Sequence, residues 1–491
     1  MPTKFKTLIS SKLKTSLFKN SMWGVMSNIF QNILFSVFFI VVARRYSIPD
    51  FANYIIANTI YSFVVGFSSL GLGQWFIREL INTEDKRKLI DKFFRIQLLV
   101  GILFYGVNIA LSFALYDSQL IRTLAVFIGI NVIFDNVIYV IKFINVAEGE
   151  QKKTFIILTA EAVLKFLIAC LLYVVTIDIV YLSVFLIALR LVTLNLFIKF
   201  GSSNLFNLRH IFASKISLTE VRSIIGNNWA FIIIGSISVV YWRIGNILVS
   251  KVLTEADVAH YEVSYKLFSM AEILPVIVST SIYPMLLKAF NTGEKEMHKV
   301  YKNAFLVYAL YGLLAFTFVF SFADFFVPLL FGAKFSVASV YCTEMFLTIL
   351  IFPTALLQAN VLVTMKLEKI DMWCNIASLL ISLTLIGIGF SNYKSLSVVN
   401  YAIFFSFLSF HIIQDVILIR RKITSMGHVA MFYICSAAMI GAYYFLSTQI
   451  DKAYSFFLFW GVAAVFGAAV YVMFNKKKIA FVPENNNDPV N

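Results

Sequence analysis

Apolar residues in this chain come in long runs, and the polar breaks between them are short, from residue 22 to residue 474. A run of about 20 mainly apolar residues is what a helix needs to cross the hydrocarbon core of a bilayer. By that measure the sequence predicts fourteen spans, at 22–42, 51–73, 94–115, 123–146, 155–176, 179–199, 226–250, 261–287, 304–327, 340–364, 372–391, 396–419, 428–447 and 454–474. The pattern is that of an all-α polytopic membrane protein.

Composition agrees. The 491 residues are 60% hydrophobic and 14% charged, whereas soluble domains carry about a quarter charged residues. A net charge of +15 raises the question of a nucleic-acid partner, but its distribution answers that. Of the 41 Lys and Arg, 29 lie in the N-terminal segment and the loops after even-numbered spans, 7 on the other side and 5 inside spans. This asymmetry sets topology by the positive-inside rule. It predicts cytoplasmic termini and no nucleic-acid binding. Lys4, Lys6, Lys12, Lys14 and Lys19 make residues 1–21 an interfacial cytoplasmic segment. No small-residue cleavage site precedes "ARRYSIPD", so the first apolar run reads as a retained span.

The chain lacks a GxxxxGK[ST] phosphate loop, an HExxH pair and a large loop that could carry catalytic groups. Cys170, Cys342, Cys374 and Cys435 show no metal or redox spacing and read as buried small hydrophobes. Neither enzymatic chemistry outside the membrane nor a bound cofactor is expected from these features.

The chemistry must then lie inside the spans. Lys142, Lys165, Arg190, Arg243 and Lys266 fall within them, and Asp135, Glu161, Glu262, Glu272, Glu344 and Asp415 lie in them or at their edges. Each such residue at a helix centre costs about 2.5–3.5 kcal/mol by insertion scales, so these charges must pair, snorkel or face water. Glu161/Lys165 and Glu262/Lys266 have i, i+4 spacing with the acid first, the favoured order for a same-helix pair. Lys142 lies near the cytoplasmic end of its span and reads as a snorkelling anchor. Arg243 is seven residues from Ser250 and either snorkels or faces the interior. Arg190 has no acid within a turn and reads as facing a water-filled cavity, with a cross-helix ion pair as the other option. Asp135 is a mid-span carboxylate, either protonatable or held by interhelical hydrogen bonds. Asn28, Asn32, Asn53 and Asn58 read as helix–helix hydrogen-bonding groups, with sugar contacts as the other option. Together these positions imply a polar, net-cationic interior suited to a large anion.

An internal echo supports a two-part architecture. "NSMWGVMSNIFQNILF" aligns with "GNNWAFIIIGSISVVY", placing Trp23 on Trp229, and "FANY" then falls on "VAHY". The echo sets spans one and two against spans seven and eight, the repeat plan of many transporters. The expected organisation is an N-lobe (22–200), a cytoplasmic linker (201–225), a C-lobe (226–419), two further helices (428–474) and a cytoplasmic tail (475–491).

The stretches "KNSMWGVMSNIF", "ARRYSIPDFANY", "SSLGLGQWFIRE", "VAHYEVSYKLF" and "LFGAKFSVASVYCTEMFLTILIFPTALLQANVLVTMKLEK" run in an order that resembles the polysaccharide-transport branch of the multidrug/oligosaccharidyl-lipid/polysaccharide exporter superfamily, the Wzx-type O-antigen flippases. The resemblance implies translocation of undecaprenyl-pyrophosphate-linked oligosaccharide from the cytoplasmic to the periplasmic leaflet by alternating access. It also implies H+ or Na+ as coupling ion, and a polysaccharide polymerase and chain-length regulator as protein partners. On this reading Arg190, Arg243, Lys165 and Lys266 hold the pyrophosphate, while Asp135 and Glu161 couple transport to the ion. Relatives often carry Arg-Ile-Asp where this chain has Arg243-Ile244-Gly245, which removes a neighbour of Arg243. A drug/cation antiporter of the same superfamily is one alternative, and it would prefer an acidic cavity. A membrane polysaccharide polymerase is the other.

Overall fold

The computed structural model describes residues 29–201 and 229–479, together with Trp23, Met26, Arg222, Ile224 and Gly226. The expected interfacial segment, most of the linker, Asn28 and residues 480–491 of the tail lie outside the described residues.

Among the described residues each predicted span falls on helix, the fourth and tenth on two helices each. In chain order the helices are α1 (29–45), α2 (Ile48–Ser68), α3 (Gly73–Asn82), α4 (Lys86–Leu115), α5 (Gln119–Gly129), α6 (Asn131–Ala147), α7 (Gln151–Val174) and α8 (Ile179–Leu196). The second part holds α9 (Trp229–Val252), α10 (Glu255–Thr292), α11 (Glu294–Phe331), α12 (Ala338–Phe346), α13 (Phe352–Thr364), α14 (Glu368–Asn392), α15 (Leu396–Arg420), α16 (Met426–Gln449) and α17 (Lys452–Ile479). Among the described residues eleven helical segments are long and apolar enough to cross a membrane, counting α5–α6 and α12–α13 as one each. Helix α3 lies in a stretch expected to be a loop. At ten residues it is too short to span, and its apolar side, with Phe76 and Leu80, packs into the N-terminal core.

Two spans are broken for identifiable reasons. The fourth stops at Ile130, between α5 and α6, where Asn108 of α4 donates to the carbonyl of Ala125 at 2.8 Å. Gly129 leaves room for that amide: a Cβ there would sit 2.2 Å from Asn108 Nδ2. A side chain inserted at the helical ladder is a known cause of such breaks. The tenth span changes to a 3₁₀ turn over Thr348–Leu350 and resumes with Pro353 in the first turn of α13. Proline has no amide N–H and clashes with the carbonyl four residues earlier. In α10, Pro275 removes the normal donor to the Ala271 carbonyl, which instead accepts from the Tyr311 hydroxyl at 2.5 Å. Backbone groups freed inside a bilayer need such partners.

Helix packing falls into two groups. Helices α2 and α4–α8 pack on one another, as do α9–α15, and the two groups meet principally where α2 lies against α9 and α10. Gly66 permits the α2–α9 contact, because a Cβ there would meet the Val239 side chain at 2.5 Å. Helices α16 and α17 pack on α11 at the side of the second group. Of the cysteines, Cys342 and Cys374 are buried as expected, but Cys170 and Cys435 are exposed on the helix surface. The runs that predict spans do not say which side of each helix faces lipid.

Candidate functional site

Within the first group, and reached by one residue of the second, lies a cavity of about 380 Å³. Its wall includes Gln31 and Phe39 of α1, Asn58 and Tyr61 of α2, Lys142 of α6, Glu161 and Lys165 of α7, Arg190 of α8 and Lys266 of α10. Lys266 is the contribution of the second half. Four cations therefore share one wall with one carboxylate, Glu161, among the described residues. Counting Asp135, which lies against Arg190, the balance is still four to two. Away from bulk water such an excess attracts anions strongly, since Coulomb energies grow as the effective dielectric falls.

Arg190 is the hub. It sits on α8, whose start is fixed by Asp178 accepting from the Val180 amide at 2.8 Å. Its Nε donates to Asp135 Oδ1 at 2.6 Å, its Nη2 donates to the same oxygen, and its Nη1 donates to Glu161 Oε2 at 2.5 Å. Glu161 Oε1 pairs with Lys165 Nζ at 2.9 Å, so the i, i+4 pair forms. Tyr61 donates its hydroxyl to Asp135 Oδ2. Both options for Arg190 therefore hold at once, since it lines the cavity and also makes the cross-helix pair, and Asp135 takes the interhelical option rather than standing as an isolated carboxylate. A guanidinium has five N–H donors, of which this network uses three, and two remain for a ligand.

Two other expectations also change. Lys142 is not a surface anchor; it lines the cavity, and no carboxylate pairs with it among the described residues. Glu262 does not pair with Lys266. It accepts from Asn246 Nδ2 at 2.7 Å and lies 3.6 Å from Arg243 Nη1. Lys266, released from that pair, lies with its Nζ 5.6 Å from the Phe39 ring centre and on the cavity wall. Arg243 neither snorkels freely nor joins the cavity wall; its guanidinium carbon is 5.4 Å from the Tyr265 ring centre, beside Glu262.

Gly245 explains the departure from Arg-Ile-Asp. A Cβ at this position would sit 2.7 Å from the Tyr261 hydroxyl, so an aspartate could not enter without moving that ring. The acid beside Arg243 comes from α10 instead. Asn53 and Asn136 serve as helix–helix hydrogen-bonding groups, Asn53 to Glu255 at 3.3 Å and Asn136 to Ser68 at 3.0 Å. Asn58 faces the cavity. Sequence reasoning missed Tyr61, for which no local signal exists, and the partners that gather around Asp415 in a second buried cluster. There Asp415 of α15 accepts from Gln358 at 2.6 Å and from Tyr433 of α16 at 3.0 Å, and lies 3.0 Å from His411 Nδ1.

A family model described as polysaccharide biosynthesis protein matches residues 11–340. No curated protein matches the chain in sequence. Similar solved structures include the lipid II flippase MurJ in an inward closed conformation, with TM-score 0.69 and 11% identity over 93% of this chain and 99% of that one. An inward-facing multidrug resistance MATE transporter of the MOP superfamily gives 0.66 and 12%, over 80% and 94%. A MOP superfamily transporter from Pyrococcus furiosus, described as having a binding pocket of reverse polarity that suggests a different function, gives 0.58 and 14%, over 84% and 96%. The fold is that of the MOP superfamily transporters.

Proposed function

The chain belongs to the polysaccharide biosynthesis protein family, and from that premise we propose that it is a flippase for a polyprenyl-pyrophosphate-linked oligosaccharide such as an O-antigen repeat unit. The observation that carries the proposal is the cationic cavity walled by the first group and by Lys266 of the second. A pyrophosphate needs several charge-assisted donors, and Lys142, Lys165, Arg190 and Lys266 converge there from four helices. The two uncommitted N–H groups of Arg190 supply directional bonds, while Lys142 and Lys266 supply charge not already matched by a carboxylate. A cationic drug would meet repulsion on the same wall.

In this reading Asp135 and Glu161 compete with the pyrophosphate for Arg190 and Lys165. A proton or sodium ion on either carboxylate weakens its hold, frees cationic capacity for the substrate and is released when the carboxylate pairs again. Binding of substrate and of coupling ion thus favour one another through shared partners. The protein sits in a bacterial inner membrane with its basic loops in the cytoplasm, 22–200 and 226–419 rocking as two lobes joined by 201–225. Arg243 supports the second lobe through Glu262. Handover to a polymerase and chain-length regulator follows on the periplasmic face.

The test is complementation of a strain lacking the gene, scoring surface glycan at matched membrane levels. Arg190→Ala and the double variant Lys142→Gln/Lys266→Gln are expected to abolish display while complete lipid-linked units accumulate on the cytoplasmic face. Normal display by both variants would overturn the assignment. Accumulation of incomplete units in the deletion strain would point to a glycosyltransferase.

A further inference from the structure

At the end remote from the basic loops, hydrogen bonds join the two halves. Lys334, in the turn between α11 and α12, donates its ammonium to the carbonyl of Arg44 at 3.2 Å and to that of Tyr46, in the α1–α2 turn. Burial lowers its pKa below the usual lysine value. At the same end Asn53 of α2 bonds Glu255 of α10, and Tyr116, following α4, meets Ser250 of α9 at 2.5 Å. The Tyr46 hydroxyl, its pKa pushed up to about 12 mainly by burial and by Asp178, donates to the Ile177 carbonyl at 2.8 Å and braces the turn that Lys334 grips.

Below these bonds lies an aromatic seal. Phe51 and Phe39 from the first half meet Phe335 and Phe331 from the second, with ring centres 5.8 Å apart for Phe51/Phe335 and 6.1 Å for Phe39/Phe331. Phe51, Phe331 and Phe335 are fully buried. Phe39 also lines the cavity, and Lys266 lies over its ring. One ring is therefore shared by the seal, the cavity and an unpaired cation.

We propose that Lys334 is the latch, and the four phenylalanines the seal, of a periplasmic gate, and that the Lys266–Phe39 contact ties its release to arrival of an anion. The anion trigger rests on the flippase reading; the latch does not. An anion that draws Lys266 away removes a cation–ring attraction from Phe39, which also meets Phe331 across the divide and Phe51 in its own half. The two carbonyls that Lys334 caps then hold the halves until it swings clear with the second half.

The test places a single cysteine in the cavity (Asn58→Cys, with the four native cysteines changed to serine) and measures labelling by an impermeant maleimide in right-side-out vesicles. Lys334→Ala and Phe335→Ala are expected to raise the labelling rate severalfold. A disulfide formed across Asn53→Cys/Glu255→Cys, in the same background, should suppress it. Vesicles loaded with inorganic pyrophosphate should label faster than unloaded ones, and Lys266→Gln should remove that response. Unchanged labelling in both Lys334→Ala and Phe335→Ala overturns the gate. Pyrophosphate that binds the purified protein by calorimetry yet leaves labelling unchanged overturns the Lys266 link. Failure to bind pyrophosphate at all counts against the flippase reading and leaves the gate standing on the first two variants.

Discussion

Replacing Arg190 with glutamine should destabilise the protein by about 3–5 kcal/mol, the range found when one partner of a buried ion pair is removed. The structure shows where the cost falls. Glu161, 1% exposed at its side chain, keeps Lys165 at 2.9 Å after the change. Glu161 loses one donor, whereas Asp135 loses two and keeps only the Tyr61 hydroxyl. Most of the penalty is thus an uncompensated Asp135 carboxylate. Adding Asp135→Asn should recover a large part of it, so the double variant Asp135→Asn/Arg190→Gln should be more stable than Arg190→Gln alone. A double-mutant cycle read by equilibrium unfolding in mixed micelles measures this coupling. The recovered variant remains inactive in glycan display, because the ligand contacts of Arg190 are gone. The reasoning fails if Arg190→Gln is as stable as the parent, or if adding Asp135→Asn makes it worse.

Further outcomes follow from single contacts. Gly245→Ala should cost about 1–3 kcal/mol by overpacking against Tyr261, and Tyr261→Phe in the same chain should return part of that stability in the same unfolding assay. Tyr311→Phe leaves the Ala271 carbonyl without its donor beside Pro275 and should cost about 1–3 kcal/mol; a null effect would mean that carbonyl has another partner. Asp415→Ala strips Gln358, His411 and Tyr433 of a shared acceptor and should loosen α16, read as faster proteolysis at the α15–α16 turn, whereas Asp415→Asn should loosen it less.

Span positions were legible because a membrane helix is a one-dimensional statement: length and apolarity suffice. Breaks within spans were not, since those at Ile130 and Pro353 depend on a neighbouring amide and on a proline near a span's middle that length alone ignores. The same limit governs the site. Glu161/Lys165 could be read from i, i+4 spacing, but the acids of Arg190 are 55 and 29 residues away in sequence. Spacing misled at Glu262, where Arg243 and Asn246 from α9 replaced the same-helix lysine. The list of interior charges was readable from the chain; their partners were set by helix packing, which a single sequence does not encode locally.

The central claim is that this cavity recognises a lipid-linked pyrophosphate through cations from both halves. The most direct measurement is binding to the purified full chain in nanodiscs, comparing undecaprenyl pyrophosphate, undecaprenyl monophosphate and the uncharged alcohol for the parent and Lys142→Gln/Lys266→Gln. The account predicts tightest binding for the pyrophosphate, weakening with salt, and a loss of at least about tenfold in the double variant, or 1.4 kcal/mol. Equal affinity for the alcohol and the pyrophosphate, unchanged in the variant, would contradict it.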